Sequence, residues 1–165
     1  MQDEKNFTKK YSGLLPEEEA HLLELKRSVA LDDAKPKIAK NFLSFVKYVW
    51  PEFIEGSHHK IIGEKFNDLA EGRCKRLIIN MPPRHTKSEF ASYLLPAWMI
   101  GNTPSMKIIQ ATHTADLAID FGRKTKNLVD DEKYQELFST RLQEDSQAAG
   151  KWKTEQGGEY FAAGV

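Results

Sequence analysis

Three consecutive apolar residues, Leu77-Ile78-Ile79, run straight into Asn80-Met81-Pro82-Pro83-Arg84-His85-Thr86, and a helical pattern begins at Lys87. This junction constrains the chain more than any other stretch. A short continuous apolar run bounded by turn residues predicts a strand buried on both faces. Phe90, Leu94 and Trp98 then recur every fourth residue, the stripe of an amphipathic helix, which Gly101-Asn102 and Pro104 end. Ile108-Ile109 with Ala111 predicts a second buried strand. Thr114 is placed to cap the next helix, with Asp116 in its first turn and Leu117, Phe121 and Leu128 facing inward. Strand, helix, strand, helix with short links predicts right-handed crossovers and a parallel sheet. Gly150 to Val165 reads as strand, Gly157-Gly158 turn and strand.

Upstream the pattern is helical. Pro16 and the glutamates at 17–19 suit a helix's first turn, and Leu22, Leu25, Val29 and Ala30 form an apolar stripe. Asp32-Asp33 and Pro36 are expected to break this helix. A second helix is expected over Ile38–Val49, with Phe42, Phe45, Val46 and Val49 on one face. Trp50-Pro51-Glu52-Phe53 reads as an aromatic turn, and His58–Leu69 as a third helix through Ile61, Ile62, Phe66 and Leu69. The first dozen residues are polar and expected to be loose.

Composition bounds the function classes. The chain has 165 residues, 40% hydrophobic and 29% charged, as expected of one globular domain with a real core. Its longest uncharged apolar stretch near the middle, Tyr93–Ile100, falls far short of the roughly 20 residues a bilayer span needs and contains Pro96. The N-terminus lacks the basic-then-apolar pattern of a signal peptide. Cys74 is the only cysteine, which excludes an internal disulfide and suggests an intracellular, reducing setting. Net charge is zero, but residues 71–130 hold 9 basic against 5 acidic residues, leaving both flanks acidic. That balance argues against a dedicated nucleic-acid binder and leaves room for a local positive site facing phosphates.

The chemistry concentrates at Thr86-Lys87-Ser88. A phosphate-binding loop needs backbone N–H groups at a helix N-terminus, a lysine reaching the β and γ phosphates, and a hydroxyl to ligand Mg²⁺. Lys87 and Ser88 supply the last two. The match to Gly-x-x-x-x-Gly-Lys-Ser/Thr is imperfect, because Met81 and Thr86 stand where glycines belong, and threonine suits positive φ poorly. The plain alternative is a helix start that carries Lys and Ser for no functional reason.

Arg76-Leu-Ile-Ile-Asn-Met-Pro-Pro-Arg-His-Thr-Lys-Ser-Glu89 closely resembles the phosphate loop of large terminase subunits, the ATPase motors that package tailed-bacteriophage DNA. In that family Pro-Pro-Arg-His-x-Lys-Ser is a deviant Walker A loop. The resemblance extends over about residues 38–165, through Phe45-Val-Lys-Tyr-Val-Trp-Pro-Glu-Phe53, His58-His59, Lys107-Ile-Ile-Gln-Ala-Thr-His-Thr114, Trp152 and Gly157-Gly-Glu-Tyr-Phe-Ala-Ala-Gly164. It implies an α/β P-loop NTPase of the RecA-like/ASCE kind. The expected architecture is a parallel sheet with helices on both faces, preceded by N-terminal helices. Residues 1–37 would form a polar segment and helical lead-in, and 38–165 a partial ATPase domain.

By the same resemblance, Met81, Pro82, Pro83, Arg84, His85, Thr86, Lys87 and Ser88 bind the nucleotide. Lys87 contacts the β and γ phosphates, Ser88 holds Mg²⁺, and Arg84 matches a loop arginine acting on the γ phosphate. A guanidinium there stabilises charge developing on the phosphoryl oxygens; the alternative for Arg84 is loop anchoring. Trp50, His58 and His59 lie where the family places adenine contacts, against the alternative of core aromatics and a helix cap. Arg123, Lys124 and Lys126 form a basic stretch that either touches DNA phosphates or is a solvated helix face.

Asp32-Asp33 and Asp130-Asp131 both sit at expected helix ends, so neither supplies the acidic strand that hydrolysis requires. The family's Walker B strand would follow Val165, and its nuclease domain is not represented. The expected role is therefore the ATP-binding part of a DNA-packaging motor. Its cofactors are ATP and Mg²⁺, and its partners double-stranded DNA, the small terminase subunit and the portal, with homo-oligomers only on the portal. It would act in the cytoplasm of an infected bacterium and transiently on the procapsid, and the fragment alone would bind nucleotide weakly without full turnover. The alternatives are a helicase-like ATPase or small-molecule kinase on the same loop, or a non-catalytic interaction module.

Overall fold

The computed structural model describes residues 15–146 and 148–165. It is 56% helical, with one small three-stranded sheet. The loose N-terminal dozen expected from sequence lies outside the described residues. The chain divides into a unit up to Pro36 and a larger unit, Lys37–Val165.

Helix α1 spans Pro16–Lys40 and carries Glu17, Glu18 and Glu19 in its first turn, where the helix dipole favours them. The break expected at Asp32-Asp33 and Pro36 does not occur. Asp32 pairs with Lys35 one turn on, at 2.7 Å, which leaves its carboxylate no reason to compete for backbone N–H groups. Pro36 costs the helix one hydrogen bond without ending it. The interruption comes instead at Asn41, whose side chain accepts from the Ser44 amide at 3.0 Å and caps α2, Phe42–Val49. After the Trp50–Phe53 turn, closed by a Phe53 N–H to Trp50 carbonyl bond, α3 covers Ser57–Ala70.

The larger unit has an aromatic centre. The Phe42 ring meets Phe66, Phe90 and Trp98 edge-on, at centroid distances of 4.9, 5.3 and 5.6 Å, the geometry that ring quadrupoles prefer. Phe90, Leu94 and Trp98 are all buried, as their spacing predicts. The helix carrying them starts at Lys87 but widens into a π-helical segment over Glu89–Leu94 before α4, Leu95–Asn102. Trp98 Nε1 donates to the Ala39 carbonyl at 2.6 Å.

Strand β1 (Lys107–Thr112) leads into α5 (Ala115–Val129), capped by Thr114 accepting from the Leu117 amide, and then α6 (Glu132–Leu137). Strands β2 (Lys151–Lys153) and β3 (Glu159–Gly164) complete a sheet of order β1-β3-β2. β1 pairs parallel with β3, with Ile109 opposite Phe161, and β2 pairs antiparallel with it, stacking Trp152 on Tyr160 at 4.9 Å.

This overturns the expected parallel P-loop sheet with helices on both faces. The sheet is mixed, because the chain returns from β2 to β3 by a short turn that only antiparallel pairing allows. Helix α5 packs against β1 and β3, but the opposite face is open, with Ile109 76% and Phe161 43% exposed. Leu77-Ile78-Ile79 is not a strand: it has no ladder partner among the described residues, and Ile78 is 86% exposed. A strand needs a neighbour to satisfy its backbone groups and a layer on each face to bury both sets of side chains. Neither is present there.

Candidate functional site

The loop from Asn80 to Thr86 delivers the chain to the helix beginning at Lys87. Arg84 and Thr86 adopt positive φ, 63° and 60°. The second glycine slot of the phosphate-loop pattern therefore does demand a left-handed backbone, and a β-branched residue meets it, an arrangement that ordinarily costs about 1–2 kcal/mol. His85 Nδ1 lies 2.8 Å from the Pro83 carbonyl, a bond within the turn. The Phe90 amide donates to the Thr86 carbonyl at 2.9 Å, fastening the loop to the first helical turn.

Met81 is half-buried against the core, while Pro82, Pro83, Arg84 and His85 are exposed. Lys87 and Ser88 are exposed, and neither Arg84 nor Lys87 forms an ion pair with any described residue. The loop from Met81 to Glu89, His85 excepted, lines an open cavity of about 410 Å³. Two unpaired cations, a hydroxyl and a helix start thus share one concavity, suited to an anion with several oxygens.

Among the adenine-region candidates, the structure separates the three residues. His59 is buried, its ring 4.8 Å from Phe53 and 5.1 Å from Phe90. Its Nδ1 accepts from the Gly56 amide at 2.8 Å and its Nε2 lies 2.7 Å from Thr86 Oγ1. Burial holds the His59 imidazole below its ordinary value; His58 and then His85 push the same way, and Glu55 opposes them. The His58 ring lies against that of His59, centroids 3.8 Å apart and planes tilted by 47°, and lines an apolar groove of about 280 Å³ with Ile61, Ile78 and Met81. Trp50 instead packs on Phe53 at 5.5 Å and borders a different groove, with Tyr93 and Lys124.

In the basic stretch, Arg123 pairs with Asp120 at 2.9 Å and Lys124 with Glu89 at 3.0 Å, while Lys126 is half-buried. Lys124 also lies over the Tyr93 and Phe121 rings. Sequence reasoning missed both the Glu89–Lys124 bridge, which ties α5 to the helix of the loop, and the bond from His59 to Thr86. The only local signal for the latter was a histidine three residues after Gly56, the position from which a side chain reaches back to cap a helix.

Among the described residues no group of three or more His, Cys, Asp or Glu could by itself hold a metal ion, and no helix is long and apolar enough to cross a membrane. Ser88 offers one oxygen, which fits Mg²⁺ bound mainly through phosphate oxygens and water rather than in a protein cage. Comparisons with family models, curated proteins and solved structures find no match.

Proposed function

We propose that the Met81–Ser88 loop binds the phosphates of ATP with Mg²⁺, and that the chain is the ATP-binding part of a viral DNA-packaging motor of the terminase large-subunit kind. The observation that carries the phosphate reading is the pair of exposed cations, Arg84 and Lys87, around the loop cavity, neither ion-paired with any described residue. Two exposed cations beside a helix start attract an anion, and the one carboxylate that lines the same cavity among the described residues, Glu89, is engaged by Lys124. Lys87 engages the terminal phosphates as a compact charge, and Arg84, with its planar fork, engages γ-phosphate oxygens. Ser88, through its hydroxyl, would be the residue that holds Mg²⁺, which would supply positive charge to neutralise the phosphate oxygens.

The motor assignment rests on the resemblance of the Arg76–Glu89 string to terminase loops. In that role the nucleotide-driven movements of the intact protein push double-stranded DNA through a portal into a procapsid, with the small terminase subunit as partner. The test is calorimetric titration of Mg·ADP and a non-hydrolysable ATP analogue into the chain and into Lys87→Ala. Binding that Lys87→Ala weakens at least tenfold, about 1.4 kcal/mol, supports the reading. Binding that survives the substitution unchanged, or no binding by a chain that circular dichroism shows folded, ends it.

A further inference from the structure

We propose that His59 is the positioning residue of the loop: as the neutral Nε2–H tautomer it clamps the Thr86 hydroxyl and so holds Thr86 in the left-handed conformation that a glycine would adopt unaided. The tautomer follows from the donors. The Gly56 amide can only donate, so His59 Nδ1, at 2.8 Å, is the acceptor and carries no proton. The remaining proton sits on Nε2 and is given to Thr86 Oγ1 at 2.7 Å. That hydroxyl in turn donates its own proton to the His85 carbonyl at 2.6 Å. Every polar atom of the relay is used once in the right sense, and the Phe53 and Phe90 rings flanking the imidazole keep it from turning. Positive φ at Thr86 is unfavourable for a β-branched residue, and the relay supplies what offsets it. His59 is 5% exposed, so it acts on a bound phosphate through the loop and not by touching the nucleotide.

This deepens the phosphate-site reading, and its test separates the two. Four variants of the full chain suffice: His59→Phe, which keeps a ring but neither hydrogen bond; His59→Gln, which keeps an acceptor and a donor; Thr86→Val, which removes the hydroxyl; and Thr86→Gly, which removes the need for a clamp. Mg·ADP affinity is expected to fall about tenfold in His59→Phe and in Thr86→Val and to be largely kept in His59→Gln. In the Thr86→Gly background, His59→Phe is expected to change affinity less than twofold. An equal loss in both backgrounds overturns the proposal.

The nucleotide-free readout is the ¹⁵N spectrum of the histidine side chains at pH 7.5. A His59 ring bare at Nδ1 and protonated at Nε2, whose Nε2 resonance shifts in Thr86→Val, supports the clamp even if no nucleotide binds, in which case only the phosphate reading fails. A ring protonated at Nδ1, or an Nε2 resonance indifferent to Thr86→Val, sinks the clamp whatever the calorimetry shows.

Discussion

Thr86 and His59 illustrate how single residues carry more than their type announces. A threonine with φ of 60° and a histidine with 5% exposure are each unusual, and each explains the other. The same pair predicts a pH dependence of stability. The folded chain disfavours protonating His59, first because it is buried and then because His58 lies against it; Glu55 opposes this and His85, the least of the four, reinforces it. With the folded value below the unfolded one, near 6.5, the unfolded chain takes up the proton first as pH falls. Stability is therefore intact above that value and declines as pH drops from there toward the folded value. Urea midpoints at pH 7.5 and pH 5.5 check this: the wild-type chain should lose more stability on acidification than His59→Gln. Equal losses would mean the histidine contributes nothing to the acid limb.

At the scale of elements, the boundaries are set by side chains that satisfy free backbone groups. Asn41 ends α1 and starts α2 because its carboxamide oxygen accepts from the Ser44 amide and hydroxyl, at 3.0 and 3.1 Å. Asn41→Ala should destabilise the fold by about 1 kcal/mol, read as a lowered denaturation midpoint with an unchanged slope. A change below about 0.3 kcal/mol would show that packing of Phe42 and Phe45 alone places the boundary. Much of this level was legible in the sequence. Thr114 was identified as a cap, the Phe90, Leu94 and Trp98 stripe as buried and Gly157 as a turn residue, which its φ of 86° requires. What misled was treating local breakers as decisive. Asp32, Asp33 and Pro36 all lie inside a helix that their neighbours extend through. The widening of Glu89–Leu94 into a π-helical segment left no mark in the apolar spacing.

At the scale of the whole molecule, the sheet depends on a close approach at Gly158. A β-carbon there would stand 2.2 Å from the Pro104 carbonyl oxygen and 2.9 Å from that of Met106, backbone atoms that cannot swing aside. Gly158 donates to Thr154 Oγ1 at 2.8 Å, and Thr154 Oγ1 donates to the Pro104 carbonyl at 2.6 Å, so the turn before β3 is bolted to the end of α4's exit loop. Gly158→Ala should cost roughly 3 kcal/mol and loosen β1 as well as β3, measured by denaturation and by amide exchange of the β1 strand. A loss confined to the β2–β3 turn would contradict this coupling.

The sequence by itself determined where most of the helical stretches lie, the Thr114 cap, the turn at Gly157-Gly158 and the Lys87-Ser88 pair at a helix start, because those features rest on rules that act within a few residues. Only the tertiary structure decided that Leu77-Ile78-Ile79 lies unpaired, that the sheet is mixed with one face open, and that Lys124 answers Glu89. It alone joined His59 to Thr86 across 27 residues. Pairing of that kind depends on which backbone groups and surfaces find a partner in space, and no periodicity along the chain encodes it.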